Sequence, residues 1–577
     1  MASSDNARYP SDALVEPDRR PRDAPERALG DFVVTHGLLW LVPIAVAIGA
    51  CVAFVALGLL DLIGLVTHLA YTGKTGVRIQ RPDIAPLGLL SALVPVAGGL
   101  IVGLMARLGS ERIRGHGIPE AMETILLRGS RMEPRLAVLK PLSSAISIGT
   151  GGPFGAEGPI IVTGGALGSI FGQLLHLTSS ERRSLLVAGA AGGMTAVFGT
   201  PVAAVLLAVE LLLFEWRPRS MIPVAAAAMA AEVVREALTN AGLIHSVPLF
   251  PMAGAGVLAP AMIAGAALVG LAGGLLAWIM TRCVYAAEDL FGRLKLHWSW
   301  WPALGGLVVG LGGLIDPRVL GVGYETIGAE LAGRLAVSAL IALLLVKLTV
   351  WSIALGSNTS GGILAPLLML GAALGGLLGA LCGGAGEGVW ALLGLAAALA
   401  GVTRSPFTSI IFAVELTHSV GSLFALLVAC TLAHLVSVLT LKRSILTEKV
   451  ARRGHHITRE YEIDPLSAML VRDVMSNQTT PAALALELRA QASGSPVAYP
   501  DETLRAVADR MVLSESTILP VVARGMPDRT LGLVSPLDLL RAHERVLDAE
   551  RRRERTLDPR RWGMSAALRE RPGEVSG

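Results

Sequence analysis

The chain has 577 residues, 53% of them hydrophobic and only 16% charged. Soluble domains carry about 25% charged residues, so this composition excludes an ordinary soluble protein and indicates an all-α polytopic membrane protein. The formal charge is +4, and the arginines gather at the ends and in short loops. That is the orientation bias of membrane chains, and nucleic acid is therefore not an expected partner.

In chain order, residues 1–31 are rich in Arg, Asp and Pro with no apolar run, which predicts a disordered cytoplasmic tail and no cleaved signal peptide. Apolar segments then follow, with interruptions, from Phe32 to about Leu441, within a transmembrane domain expected over 32–450. A bilayer core needs about 20 apolar residues, and Leu38–Leu60, Leu87–Leu108, Leu258–Met280 and Leu335–Leu355 suit that length. Ser184–Ala196, Pro201–Phe214, Val389–Val402 and Pro406–Leu416 are shorter and bounded by Gly, Pro or charge. They predict tilted or partly penetrating helices packed inside protein. The 66 glycines allow close helix packing and backbone breaks at membrane depth. Cys51, Cys283, Cys382 and Cys430 lie in or beside apolar runs with no C-x-x-C pair or neighbouring His, and read as small core residues with no metal site.

The apolar region repeats itself. GTPVAAVLLAVEL (199–211) matches RSPFTSIIFAVEL (404–416), with Pro201/Glu210 and Pro406/Glu415 at the same spacing. Upstream, TGGPFGAEGPIIVTGGALGSIFG (150–172) resembles SGGILAPLLMLGAALGGLLG (360–379). Two halves with Gly/Pro-interrupted segments at corresponding places match transporter repeats, whose binding site lies between them.

After Leu441 the composition changes. LKRSILTEKVARRGHH (441–456) is basic, as expected of a cytoplasmic exit. Residues 451–545 then read as a small α/β domain of strand-helix-strand-strand-helix order, its first strand at VRDVMS (471–476), followed by a charged tail at 546–577.

Three Gly-Pro elements precede apolar helical runs: GHGIPEAME (115–123), GAEGPIIV (155–162) and GGILAPLLML (361–370). Such starts present free amides and the positive end of a helix dipole, which attract anions. Glu157 is the only Asp, Glu, Lys or Arg between Pro141 and Ser180. An ionised carboxylate there must be neutralised, held by local donors, or placed on a polar path.

These three elements, in this order and spacing, resemble the signatures of the CLC family of chloride channels and chloride/proton exchangers. The resemblance implies an inverted repeat of many tilted helices, a homodimer whose subunits each have a pore, both termini in the cytoplasm, and residence in the plasma (inner) membrane. Glu157 matches the family's gating glutamate, whose carboxylate competes with chloride for backbone donors. Anion binding is implied for His116, Gly117 and Ile118, for Gly155, Ala156 and Gly158, and for Gly362, Ile363 and Leu364. His116 stands where many chloride-selecting members carry serine, and Leu446 stands in place of the family's inner tyrosine, so one hydroxyl contact to the anion is missing.

Exchangers of the family usually carry a proton-relay glutamate where this chain has Leu211. That departure favours passive chloride conduction, with chloride/proton antiport as the alternative and a nucleotide-sensing membrane regulator as a more distant one. Glu210 and its repeat Glu415 read as buried helix-packing or amide-bonding acids. The tail resembles a single CBS module, in which Ser535 and Asp538 hold the positions that meet a ribose in nucleotide-binding members. No other cofactor is expected beyond that adenine nucleotide. With no His-Glu-x-x-His, P-loop or Cys/His cluster, the chain does not read as an enzyme.

Overall fold

The structure is a computed structural model describing residues 37–244, 249–252, 260–383, 387–454, 466, 469–476, 496–524 and 526–551. It divides into two compact units, the larger spanning Val34–Glu460.

In the larger unit the first half comprises α1 (Leu38–Thr72), α2 (Val94–Leu108), α3 (Ile118–Leu127), α4 (Leu136–Gly149), α5 (Glu157–Leu174), α6 (Ser179–Phe198), α7 (Pro201–Leu207) and α8 (Pro218–Asn240). The second half comprises α9 (Pro260–Gly292), α10 (Trp301–Ile315), α11 (Tyr324–Leu331), α12 (Val337–Gly356), α13 (Leu364–Cys382), α14 (Glu387–Thr403), α15 (Pro406–Thr417) and α16 (Leu423–Thr440). A short helix, α17 (Ile445–Arg452), follows. Among the described residues seven helical stretches are long and apolar enough to cross a membrane. Each of the four spans expected from sequence overlaps one of them: Leu38–Leu60 lies inside Leu38–Thr72, and the other three overlap Gly88–Leu108, Met262–Gly292 and Val337–Gly356, each of which starts one to four residues later than expected. Trp298–Ile315, Leu364–Cys382 and Val420–Arg452 are the others. The segment expected to be short at Ser184–Ala196 lies inside the 20-residue α6, which a Thr178–Glu181 capping box starts earlier.

Large apolar side chains such as Leu89 and Leu381 stand more than 80% exposed. Serines such as Ser143, Ser360 and Ser409 are wholly buried. That distribution suits a hydrocarbon surround rather than water. Two cysteines depart from the expected core role: Cys430 is buried, but Cys51 and Cys382 lie on the exposed faces of their helices.

Glycine sets the closest packing. A Cβ on Gly164 or Gly168 of α5 would overlap the carbonyls of Gly189 and Leu185 on α6. The same collision recurs between Gly371 and Gly375 of α13 and the carbonyls of Gly394 and Trp390 on α14. Each pair of helices therefore meets through a small-x-x-x-small stripe, which permits backbone contact where no hydrophobic effect drives association.

The halves also cap one another. Pro201 and Pro406 open α7 and α15, leaving first-turn amides without intrahelical acceptors. Glu415 accepts the amides of Val202 and Ala203 at 3.0 and 2.8 Å, and Glu210 accepts those of Phe407 and Thr408 at 3.3 and 2.9 Å. A carboxylate at a helix start satisfies the orphan donors and the dipole together.

The smaller unit contains α18 (Leu504–Leu513), β1 (Leu519–Ala523), β2 (Met526–Val534) and α19 (Pro536–Arg551). β1 and β2 pair antiparallel with Leu519 opposite Val534 and Val521 opposite Gly532. Val471, Leu504, Val507, Leu519 and Val521 are among its core residues. The strand expected at 471–476 is instead a 3-10 turn over Val471–Asp473 that leads to a single bridge between Ser476 and Leu533. Asp473 draws the chain into that turn by accepting the Leu470 amide at 3.2 Å. α19 runs through the boundary expected at 545, and the 477–495 insert lies outside the described residues.

Candidate functional site

Three backbone loops converge in the larger unit. Gly155 and Gly362 exchange paired hydrogen bonds, Gly155 N–H to Gly362 O at 3.0 Å and Gly362 N–H to Gly155 O at 2.8 Å. The Gly115 amide donates to Asn358 O at 3.3 Å, and a Cβ on Gly158 would overlap the His116 carbonyl. Gly117 has φ +93° and faces Val162 and Gly158, so this turn requires glycine for its dihedral and for its space. The starts of α3, α5 and α13 thus meet, as the three Gly-Pro signatures suggest.

Glu157 is the first residue of α5 and is 0% exposed. Its carboxylate lies against Gly155 and Gly362, where any Cβ would collide with it. Its own amide and that of Ala365 are the backbone donors that bear on the carboxylate, and neither closes a hydrogen bond. Both carboxylate oxygens are buried without a partner. An ionised carboxylate so placed carries a desolvation penalty of several kcal/mol. It has to take a proton, a water or a new position.

The expected anion donors divide into two groups. The Gly155 and Gly362 amides are committed to each other, and the Gly117 amide donates to Glu120 Oε2 at 3.0 Å. In this structure these three glycines shape the turns, and their amides are engaged within the protein. The amides of Ile118, Ala156, Gly158, Ile363 and Leu364 belong to helix starts, where no intrahelical acceptor exists. His116 is 4% exposed, and its Nδ1 has no partner. Leu446, in the first turn of α17, is wholly buried. The nearby Tyr285 hydroxyl donates to Ile445 O at 2.5 Å, so it does not stand in for the missing tyrosine.

Leu211 lines a small cavity with Met194, Leu364, Thr403, Thr408 and Phe412. The Thr408 hydroxyl donates to Glu210 Oε2 at 2.5 Å. The void therefore joins the neighbourhood of Glu210 to Leu364, the residue that occupies in the second half the place of Glu157.

Sequence reading missed three residues. Lys140 is fully buried, its Nζ donating to Ile113 O at 2.8 Å and Gly115 O at 2.7 Å, so it fixes the loop before His116. Glu120 caps Gly117, and the spacing G-x-x-E held that signal. Tyr324, at the start of α11, has a buried hydroxyl without a partner and an electrostatic interaction with Glu157; no motif marks it. In the smaller unit Asp538 accepts from the Ser535 amide at 2.9 Å and hydroxyl at 2.7 Å. That pair closes the start of α19, so the carboxylate expected to meet a ribose is engaged by its own helix.

A membrane unit of broken helices, paired by repeat and meeting at a buried carboxylate, defines an ion-transport fold. Residues 98–438, more than half of the chain, match the family described as Voltage gated chloride channel. The Voltage-gated ClC-type chloride channel ClcB of an Escherichia coli strain is 31% identical over 423 residues, covering 71% of this chain and 99% of that protein. Among solved structures, a slow cyanobacterial Cl−/H+ antiporter aligns with TM-score 0.64 at 20% identity, over 73% of this chain and 99% of that one. A CLC-type fluoride/proton antiporter aligns with TM-score 0.60 at 20% identity, over 70% and 97%. The chain belongs to the voltage-gated chloride channel (CLC) family and is an integral, multi-pass membrane protein.

Proposed function

We propose that this protein moves chloride across a lipid bilayer in exchange for protons, with Glu157 as a protonatable gate. The observation that carries this reading is a fully buried carboxylate, unpartnered at both oxygens, at the meeting point of three helix starts. Charged, it competes with an anion for the amides of Ala156, Gly158, Ile363 and Leu364; protonated, it leaves them to chloride. Passive conduction, favoured from Leu211 alone, yields first place because the two solved relatives named above are antiporters. Conduction stays the second reading on the strength of Leu211, which carries no proton.

His116 supports small monovalent anions generally, since an imidazole N–H also donates to nitrate or bromide. A homodimer is part of the same reading: Val202, Trp216, Phe407 and Phe424 stand more than half exposed around the starts of α7, α8, α15 and α16, a face suited to a second copy.

The deciding measurement is the reversal potential of purified protein in planar bilayers under a pH gradient. Exchange shifts it with the proton gradient, and conduction leaves it at the chloride potential. Absence of any anion current or flux in bilayers and liposomes ends both readings.

A further inference from the structure

Glu120 sits oddly beside a site for anions. It is 9% exposed, its Oε2 holds the Gly117 amide, and its charge lies one residue beyond the Ile118-Pro119 helix start. A neutral glutamine caps an amide as well, whereas a carboxylate repels the ion that the neighbouring donors attract. The structure supplies a counterweight: Arg453 reaches Glu120 Oε1 at 2.5 Å and Glu123 Oε2 at 2.8 Å. Lys449 makes a parallel tie, with Nζ at 2.7 Å from Asn358 Oδ1, and the Asn358 carbonyl accepts the Gly115 amide. Both sides of the His116 turn are thus held from the C-terminal end of α17, where the chain leaves for the smaller unit.

We propose that Glu120 and Arg453 together set the anion affinity of this site. Glu120 withdraws the Gly117 amide and lowers affinity with its charge; Arg453 is a positioning residue that cancels the charge and fixes the carboxylate. Glu120 also faces Lys140, Lys449 and His116, and Arg453 is the partner that contacts it directly among the cations around it. A helix end that carries Arg453 away from Glu120 therefore weakens anion binding without touching any donor. The inference rests on the anion-transport reading above.

Chloride titration calorimetry on the full-length protein in detergent tests it with five proteins: wild type, Glu120→Gln, Arg453→Gln, Arg453→Lys and the Glu120→Gln/Arg453→Gln double variant. Removing the carboxylate charge raises affinity and removing the guanidinium lowers it. Each change is on the order of tenfold, the size expected of one unit charge nearby at an effective dielectric of about 20. The double variant returns to within about twofold of wild type because the charges cancel. Arg453→Lys falls between wild type and Arg453→Gln, since it keeps the charge and loses the fork. Arg453 is 37% exposed, so its variants keep the fold and report even where a Glu120 variant does not. Single variants that shift affinity in the same direction, or not at all, overturn the inference while chloride binding stands. A wild-type protein that neither binds chloride nor carries flux overturns the anion reading itself.

Discussion

At residues 155–159 and 362–366 the two halves of the membrane unit build the same turn, each ending in a proline inside the first helical turn, and the turns are tied to each other through Gly155 and Gly362. The stripes beneath also correspond, Gly164 and Gly168 in one half and Gly371 and Gly375 in the other. The side chain at the third position differs: Glu157 in the first half, Leu364 in the second. Backbone and packing are duplicated, and the titratable group is not. A site between repeats can therefore present donors from both halves to one ion while a single half controls access.

The comparison breaks most visibly at that position. Glu157→Gln removes the pH dependence of anion flux altogether in a liposome assay, whereas wild-type flux rises as pH falls because protonation frees the donors. Leu364→Ala changes the rate but keeps the pH profile; a flattened profile in that variant would show that the halves share control. Next in size are Gly168→Val and Gly375→Val. Each forces a side chain into a facing carbonyl and destabilises by about 1–3 kcal/mol or more, read as a drop in the unfolding midpoint in detergent. Equal losses support matched packing, and a loss in one half alone refutes it.

Glu210→Gln and Glu415→Gln sharpen the symmetry further. Each weakens two amide contacts and costs about 1–2 kcal/mol, and the double variant costs close to their sum if the caps act independently. The smallest effect is expected of Leu446→Tyr, which returns a hydroxyl to the start of α17 and tightens chloride binding severalfold by calorimetry. No change there would mean that the residue faces away from the ion.

The repeat, the helix starts and the isolated Glu157 were legible in the sequence because each is a local pattern of Gly, Pro and charge. The state of each donor was not. Whether the Gly155 amide is free depends on Gly362, 207 residues later; the Gly117 amide is taken by Glu120, whose G-x-x-E spacing carries a capping signal without showing that the cap forms. Glu210 and Glu415 read from sequence as helix-packing or amide-bonding acids, and nothing local says that each caps the helix of the other half. In the smaller unit, VRDVMS has the composition of a strand, and a single cap from Asp473 to the Leu470 amide turns it. Cys51 and Cys382 sit in apolar runs and still face outward, since in a membrane helix an apolar neighbourhood does not imply an interior position.

The crossed caps have a bearing on synthesis. Glu415 and the Val202 amide it satisfies are 213 residues apart, and ribosomes add roughly 5–20 residues per second. The α7 start must then wait on the order of ten to forty seconds, already made, before its acceptor leaves the tunnel. During that interval the nascent first half holds bare amides inside the insertion machinery, and water, lipid headgroups or a chaperone must occupy them until the second half arrives.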